Sequence, residues 1–371
     1  MYYISVGDTT WSPPYLTAKD EFDQPVDVYL TDDYNLYKVG VYPIIYHATD
    51  SKNLTTYLTI YLHVVEEVSD VPPADYPEMD ETALSDIKSR WQTNRNSLIP
   101  TYTDPFDPEI YYSTLDGLSG EVFFIELRHI ISNNITPASY DEVRFILEDS
   151  DSVSSPWGTY IYGIYSGQKL IRYWDSGATW SREHVWPNSR LGVSRVSGSD
   201  RNIASDPHNL RAINTSVNSS RGNRYFTNGT SSTYQLVGTD AYYPGDDHRG
   251  DVARILFYMY VRYYDILDLV ETAEEIISGP TYSPLGAKFG ILSVLIDWHR
   301  LDPVSEFEIN RNNVIYSYQG NRNPFIDNPE YVNIIFDIES TTTNEVYTVV
   351  ITIPKVEINL NDLKQRENYF F

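Results

Sequence analysis

The chain has no cysteine among its 371 residues. It therefore forms no disulfide bond, has no thiolate ligand for a metal and offers no thiol nucleophile. It also lacks any run of 18 apolar residues, which predicts that no segment spans a membrane. The first residues, MYYISVGDTTW, show neither the basic nor the apolar region of a signal peptide.

Basic residues are scarce: 27 lysines and arginines stand against 52 aspartates and glutamates, giving a net charge of −25. Such a chain repels nucleic acid at long range. Residues 181–226 are the exception, because seven arginines less three acids leave a local charge of +4. Arginine makes bidentate contacts with phosphate, so we interpret the cluster as a phosphate-binding stripe rather than a chance grouping. Its members are Arg182, Arg190, Arg195, Arg201, Arg211, Arg221 and Arg224.

Composition and periodicity divide the chain into four parts. A hydrophobic fraction of 41% argues against disorder. Residues 1–70 contain short alternating runs such as VDVYL and TTYLTIYLHVV, which predict a small antiparallel β-sandwich. Residues 71–79 are predicted to be a proline-rich, semi-rigid linker. Residues 80–336 have helical periodicity. Residues 337–371 return to strand character, either as an edge hairpin or as the start of a further module.

Helical periodicity is clearest in six stretches of the third part. The stretch at 250–270 is apolar along its length, and Asp251 is predicted to cap its N-terminus. Helices predicted over 287–300 and 304–320 are separated at Asp302 and Pro303. The other three helices are expected over residues 81–95, 118–134 and 139–151.

A candidate site begins in the segment SREHVWP. This segment alternates and ends in Pro187, which predicts a strand that stops there. Neighbouring side chains of a strand point to opposite faces, so Glu183 and His184 can face one ion only where the strand bends or ends. Pro187 makes such an ending the expected structure.

A second polar segment, NTSVNSSRGNRY, is predicted to form a short helix. Asn214, Asn218, Arg221 and Tyr225 would lie on one continuous face of it, because their spacing is i, i+4, i+7 and i+11.

The segments SREHVWPNSRLG and SDPHNLRAINTSVNSSRGNRYF resemble the endonuclease I family of nonspecific nucleases, whose active site is of the ββα-metal, or His-Me finger, type. Further matching stretches are YYSTLDGLSGE, GDVARILFYMYVRY and WHRLDPVSEFEINRNNVIYSYQGNRNPFIDNPEY. The family usually has leucine where this chain has Pro207. The resemblance implies an α+β fold with a helix-rich ββα-metal nuclease domain over residues 80–336.

The resemblance also implies that His184 is the general base and that Glu183 and Asn218 bind one divalent metal. Carboxylate and amide oxygens suit Mg²⁺, with Mn²⁺ or Ca²⁺ as alternatives. Arg221 is predicted to hold the phosphate oxygens beside this metal. The implied substrates are DNA and RNA, cleaved to 5′-phosphate ends. Further substrate contacts are predicted for Arg182, Arg190, Arg224 and Asn214.

Residues 1–70 resemble the bacterial immunoglobulin-like modules of secreted and cell-surface proteins, in the patterns Val39-Gly40-x-Tyr42 and Ala48-x-Asp50. We therefore expect an N-terminal all-β sandwich that contacts a cell surface or matrix. The whole would be a secreted or cell-surface endonuclease whose signal peptide is not present in this chain.

Two alternatives stay open at this point. A noncatalytic surface adhesion protein could have kept the nuclease scaffold, although the base and both metal ligands are present here. A zinc site could instead use His184, His208 and Glu183. We expect His208 to be structural and His248 to be solvated in a turn.

Overall fold

A computed structural model gives the fold of most of the chain. Most of the described residues lie in the ranges 106–155, 158–278 and 287–336. The linker predicted over 71–79 and the helix predicted over 81–95 lie outside the described residues, apart from residue 85. The other described residues are 2–7, 9, 11–13, 18–19, 25–31, 34–49, 55–65, 98, 100–102 and 357–358.

The smaller of two compact units comprises Met1–Pro72 and Thr342–Phe371. Its strands β1 to β6 span Tyr2–Ser5, Ala18–Lys19, Pro25–Val26, Val28–Thr31, Gly40–Thr49 and Thr55–Val65. One sheet has the order β1-β6-β5-β4, and its buried face includes Ile44 and Leu62. Glu357–Ile358 pairs with β2. The described part of the C-terminal segment therefore pairs with a strand of the first unit, whereas the further module and the immunoglobulin-like sandwich stay predictions.

The larger unit, Pro73–Thr341, mixes helices and strands and confirms the predicted α+β class. Strands β7 to β16 span Ser152–Ser155, Gly158–Tyr162, Lys169–Ile171, Trp180–His184, Leu210–Asn214, Tyr225–Phe226, Thr233–Val237, Ala241–Gly245, Asp268–Val270 and Lys288–Ile291. Helices α1 to α10 span Pro108–Tyr111, Gly120–Ser132, Tyr140–Ser150, Thr215–Arg221, Arg249–Arg262, Ala273–Ile277, Leu292–Leu301, Glu306–Gln319, Pro324–Asp327 and Tyr331–Ile335.

Helix α3 begins where its sequence provides a capping box. The Ser139 hydroxyl accepts from the Glu142 amide at 3.2 Å, and the Glu142 carboxylate accepts from the Ser139 amide at 2.7 Å. These reciprocal bonds satisfy two amides that no helical carbonyl reaches. Ser305 and Glu308 repeat the arrangement at the start of α8, so the predicted helices over 139–151 and 304–320 are confirmed within a few residues.

Helix α5 lies at the centre of the main core, and 12 of its 14 residues are buried. Two predictions for this stretch were wrong. The helix ends at Arg262 instead of continuing to residue 270, and Asp251 lies in its first turn instead of capping it. The Asp251 carboxylate instead forms an ion pair with Arg211, whose Nη1 lies 2.9 Å away. Among the described residues, no helix is long and apolar enough to cross a membrane.

The predicted helix over 287–300 is a strand followed by a helix. Lys288–Ile291 forms β16, and α7 begins only at Leu292. Residues 289–292 of this stretch, FGIL, are apolar without a break, and such a run has no periodicity that separates a strand from a buried helix.

Strands β10 and β11 and helix α4 form a compact ββα arrangement. The strands pair antiparallel, from Trp180 opposite Asn214 to His184 opposite Leu210. Asn214 ends β11 and caps α4, so the chain passes from strand to helix without a loop. This short connection places the helix beside the strand that carries Glu183 and His184.

Candidate active site

Glu183 lies on β10 and is only 2% exposed. Its Oε1 accepts a hydrogen bond from the Tyr165 hydroxyl at 2.9 Å and lies 3.3 Å from Nη1 of Arg221. Burial raises the pKa of the Glu183 carboxyl, and the charge of Arg221 opposes this rise. Within the described part of the chain Oε2 makes no hydrogen bond, so this oxygen is left for a ligand.

His184 is the last residue of β10, which ends three residues before the predicted end at Pro187. Its Nε2 lies 2.8 Å from the carbonyl oxygen of Ala204. A carbonyl only accepts, so Nε2 carries the hydrogen and Nδ1 keeps its lone pair. Burial lowers the pKa of His184 to about 4, which keeps the ring neutral at pH 7. The ring stacks on Tyr140 at 5.5 Å with an interplanar angle of 22°.

The carbonyl of Ala204 belongs to a 3₁₀ turn, Ile203–Ser205. Asn202 fixes this turn from its start: its Oδ1 accepts from the Ala204 amide at 2.8 Å, and its amide donates to the Ser205 hydroxyl at 2.9 Å. The partner of the histidine is therefore held by a closed set of local hydrogen bonds.

Asn218 lies in the middle of α4, and its Nδ2 donates to the Ser181 hydroxyl at 2.8 Å. Asn214 occupies the N-cap and accepts from the amides of Ser216 and Val217 at 2.9 and 3.3 Å. The predicted polar face is only partly formed, because α4 ends at Arg221 and Tyr225 lies in β12. Gly222 ends the helix with a φ of +60°, which glycine adopts without a steric penalty.

Arg221 is buried, with 1% of its surface exposed. Its Nη2 donates to the Val185 carbonyl at 2.8 Å, and its Nη1 donates to the His184 carbonyl at 3.2 Å. Together with the Glu183 ion pair, these contacts join the end of α4 to the end of β10. The structure thus places Arg221 beneath the site as a brace, and a phosphate contact would have to displace these partners.

The predicted phosphate-binding stripe is not continuous. Arg211 is buried between Asp151 and Asp251, and Arg201 pairs with Glu142. Arg182 and Arg221 also have carboxylate partners, Asp141 and Glu183 respectively. Counting local charge could not find these ion pairs, because most of the acids come from outside residues 181–226.

The three arginines predicted to contact substrate differ in the groups that surround them. Arg182 stacks on the ring of Tyr140 at 3.5 Å and donates to its carbonyl. Arg190 and Arg224 line one cavity of about 290 Å³, and Arg224 also donates to the Thr239 carbonyl at 2.9 Å. Substrate binding by these three arginines and by Asn214 stays a prediction.

Sequence reasoning missed three side chains that hold the site: Tyr165 on Glu183, Tyr140 on His184 and Ser181 on Asn218. Only Ser181 had a signal in the sequence. It precedes Glu183 by two positions, and residues i and i+2 of a strand share a face. Tyr140 and Tyr165 come from other elements, and their contacts could not be found without the fold.

His208 is structural, as predicted. It is fully buried, its Nε2 lies 3.3 Å from the Asn321 carbonyl, and its ring lies 4.5 Å from that of Tyr258. His248 contradicts its prediction, because it is 3% exposed and lies 5.6 Å from the ring of Tyr162. No group of three or more His, Asp or Glu side chains in the described residues could hold a metal, so the alternative zinc site is not formed.

Both histidines should make the fold sensitive to acid. Burial lowers the pKa of His208 to about 3 and that of His248 to about 4, from an ordinary value near 6.5. The unfolded chain then binds more protons, so their contribution to stability is complete above pH 6.5 and is lost as the pH falls towards 4. We expect the free energy of unfolding to drop between pH 7.5 and pH 5 by about 2 kcal/mol for each histidine.

Guanidinium unfolding at the two pH values measures this drop. In His248→Gln the drop should shrink by the share of one histidine, because glutamine does not titrate. Equal free energies of unfolding at both pH values in the parent protein would contradict the expected effect.

A sequence model of endonuclease I matches residues 120–330, which include the whole ββα arrangement. The chain belongs to the endonuclease I family. The extracellular ribonuclease of Bacillus amyloliquefaciens is 37% identical over 246 residues, which cover 63% of this chain and 80% of that protein. The extracellular ribonuclease of Bacillus subtilis (strain 168) is 36% identical over 244 residues, or 62% and 79% of the two chains. These findings confirm the resemblance seen in the sequence and support assignment of the chain to the nucleases.

Proposed function

We propose that this protein is a secreted, metal-dependent endonuclease that hydrolyses phosphodiester bonds of DNA and RNA without sequence preference. Its place in the endonuclease I family and its likeness to two extracellular ribonucleases support the nuclease class and secretion. The observation that carries the mechanism is the hydrogen bond from His184 to a carbonyl, which leaves Nδ1 with a lone pair that can accept a proton.

Glu183 and Asn218 fit a hard divalent cation. Each offers one oxygen that makes no hydrogen bond within the described residues, Oε2 and Oδ1 respectively. Mg²⁺ prefers such donors and commonly keeps several water ligands, so two protein ligands suffice. When bound, the cation would neutralise charge on the phosphoryl oxygens and on the leaving 3′ oxygen.

His184 supplies the base. Its Nδ1 accepts a proton from the attacking water, whose oxygen forms the new bond to phosphorus while the bond to the 3′ oxygen breaks. This leaves a 5′-phosphate, and the 3′ oxygen becomes a hydroxyl by taking a proton from solvent water. The Ala204 carbonyl keeps Nε2 protonated and accepts its hydrogen bond when the ring becomes positive. The charge of Arg221 favours the ionised form of Glu183, and its contacts join the end of α4 to the end of β10.

Chelation tests this function. We expect the purified protein to nick supercoiled plasmid and degrade transcribed RNA in Mg²⁺, and EDTA to slow both reactions on the order of a hundredfold or more. The loss should reverse when Mg²⁺ is added in excess of the chelator.

Cleavage that continues at the same rate in EDTA would rule out the metal-dependent mechanism. Absence of cleavage in Mg²⁺, Mn²⁺ and Ca²⁺ would instead favour the alternative of a noncatalytic adhesion protein on this scaffold.

A further inference from the structure

Ser181 lies two residues before Glu183 on β10, so both side chains point to the same face of the strand. Its hydroxyl oxygen lies 2.8 Å from Nδ2 of Asn218 on α4. The hydroxyl thus bridges the strand that carries the carboxylate and the helix that carries the amide.

An asparagine needs such a partner if it is to bind a cation. Only the amide oxygen can be a ligand, yet the terminal torsion of asparagine is broad and nearly two-fold. A half-turn of this torsion would present the NH₂ group to the cation. The short helix does not by itself prevent that turn, because Asn218 is only half-buried.

The backbone of α4 is already fixed at both ends. Asn214 caps its first turn, and Arg221 fastens its last residue to the carbonyls of His184 and Val185. The side-chain torsion of Asn218 is therefore the part of this ligand that remains to be set. In the structure the Ser181 hydroxyl accepts from Nδ2 at 2.8 Å, and Oδ1 is turned away from Ser181.

We propose that Ser181 is a positioning residue for the cation: it accepts from Nδ2 of Asn218 and so restrains the amide, whose oxygen would bind the same cation as Glu183. The inference rests on the proposed function, because it takes Asn218 as a metal ligand. It adds a residue that acts on the affinity for the cation and not on the chemical step.

Mn²⁺ binding to the full chain without nucleic acid tests the proposal, by calorimetry or by electron paramagnetic resonance. Loss of a hydrogen bond that orients a ligand commonly costs 10- to 100-fold in metal affinity. We expect Ser181→Ala to raise the Kd for Mn²⁺ roughly tenfold and Ser181→Thr, which keeps the hydroxyl, to restore it. At saturating Mn²⁺ the kcat of Ser181→Ala should return to near that of the parent protein.

Ser219→Ala is the matched control. Ser219 follows Asn218 on the same helix, and its exposed hydroxyl donates only to the Thr215 carbonyl, at 2.9 Å. Its replacement should leave Mn²⁺ affinity unchanged. Thermal melting without metal checks that each variant is folded.

Two results would overturn the proposal. If Ser181→Ala binds Mn²⁺ as tightly as the parent protein while Asn218→Ala binds it weakly, then Asn218 is a ligand but Ser181 does not position it. If Asn218→Ala also keeps full affinity, the amide is no ligand, and the metal assignment of the proposed function fails with the inference.

Discussion

Replacing His184 with alanine should lower the rate of phosphodiester cleavage roughly 10²–10⁴-fold, the usual contribution of a general base. The imidazole is neutral at pH 7, because burial lowers its pKa to about 4, and Nδ1 has a lone pair free for a proton. Initial rates on plasmid and on RNA, measured at saturating Mg²⁺, give the factor. The loss should appear in kcat, because alanine removes the base and leaves Glu183 and Asn218 in place.

His129→Ala is a suitable control for this variant. His129 is exposed on α2, and its Nδ1 lies 2.7 Å from the Asn133 side chain. Its loss should change neither kcat nor the melting temperature appreciably. Undiminished cleavage in a folded His184→Ala protein would exclude this residue as the base.

Replacing Arg211 with methionine should destabilise the larger unit by about 3–5 kcal/mol, the usual cost of removing one partner from a buried ion pair. Arg211 is 1% exposed, with Nε 3.1 Å from Asp151 and Nη1 2.9 Å from Asp251. Arg311 also pairs with Asp151, at 2.9 Å, but among the described residues Asp251 would keep only the ion pair with Arg254, at 3.9 Å. The free energy of unfolding in guanidinium measures the loss.

Arg201→Met provides the comparison from the same segment of sequence. Arg201 is exposed and pairs with Glu142 at the surface, where an ion pair is worth about 0–1 kcal/mol. If the two variants lose equal stability, burial is not what distinguishes these arginines. A fully stable Arg211→Met protein would show that the Asp151 cluster is not held by Arg211.

Only those features of the site that depend on nearby residues in the chain could be predicted from the sequence. Pro187 marked the end of the strand, and the structure places His184 as the last strand residue. The spacing of Asn218 predicted a helix, which the structure confirms as Thr215–Arg221. These features depend on neighbours within a few residues. Whether the three residues bind a metal and activate water stays a prediction that the variants above test.

Burial and long-range pairing could not be predicted in the same way. Arg211 belongs to a basic stretch, yet its partners lie 60 and 40 positions away. His248 stands in PGDDHRGD, which has the composition of a solvated turn, but α5 begins directly after it and carries it into the interior. Local polarity predicts exposure only where no distant element covers the segment, and α5 is covered on nearly every side.

The hydrogen-bond partner of His184 is a main-chain atom, and this has a consequence for how the protein tolerates mutation. A substitution at Ala204 changes the side chain and leaves the carbonyl in place, so it does not directly remove the hydrogen bond with His184. Substitutions at Asn202 and Ser205 should weaken this hydrogen bond more, because the side chains of these residues hold the turn that presents the Ala204 oxygen. Natural variation would therefore be constrained on either side of the atom that the imidazole touches.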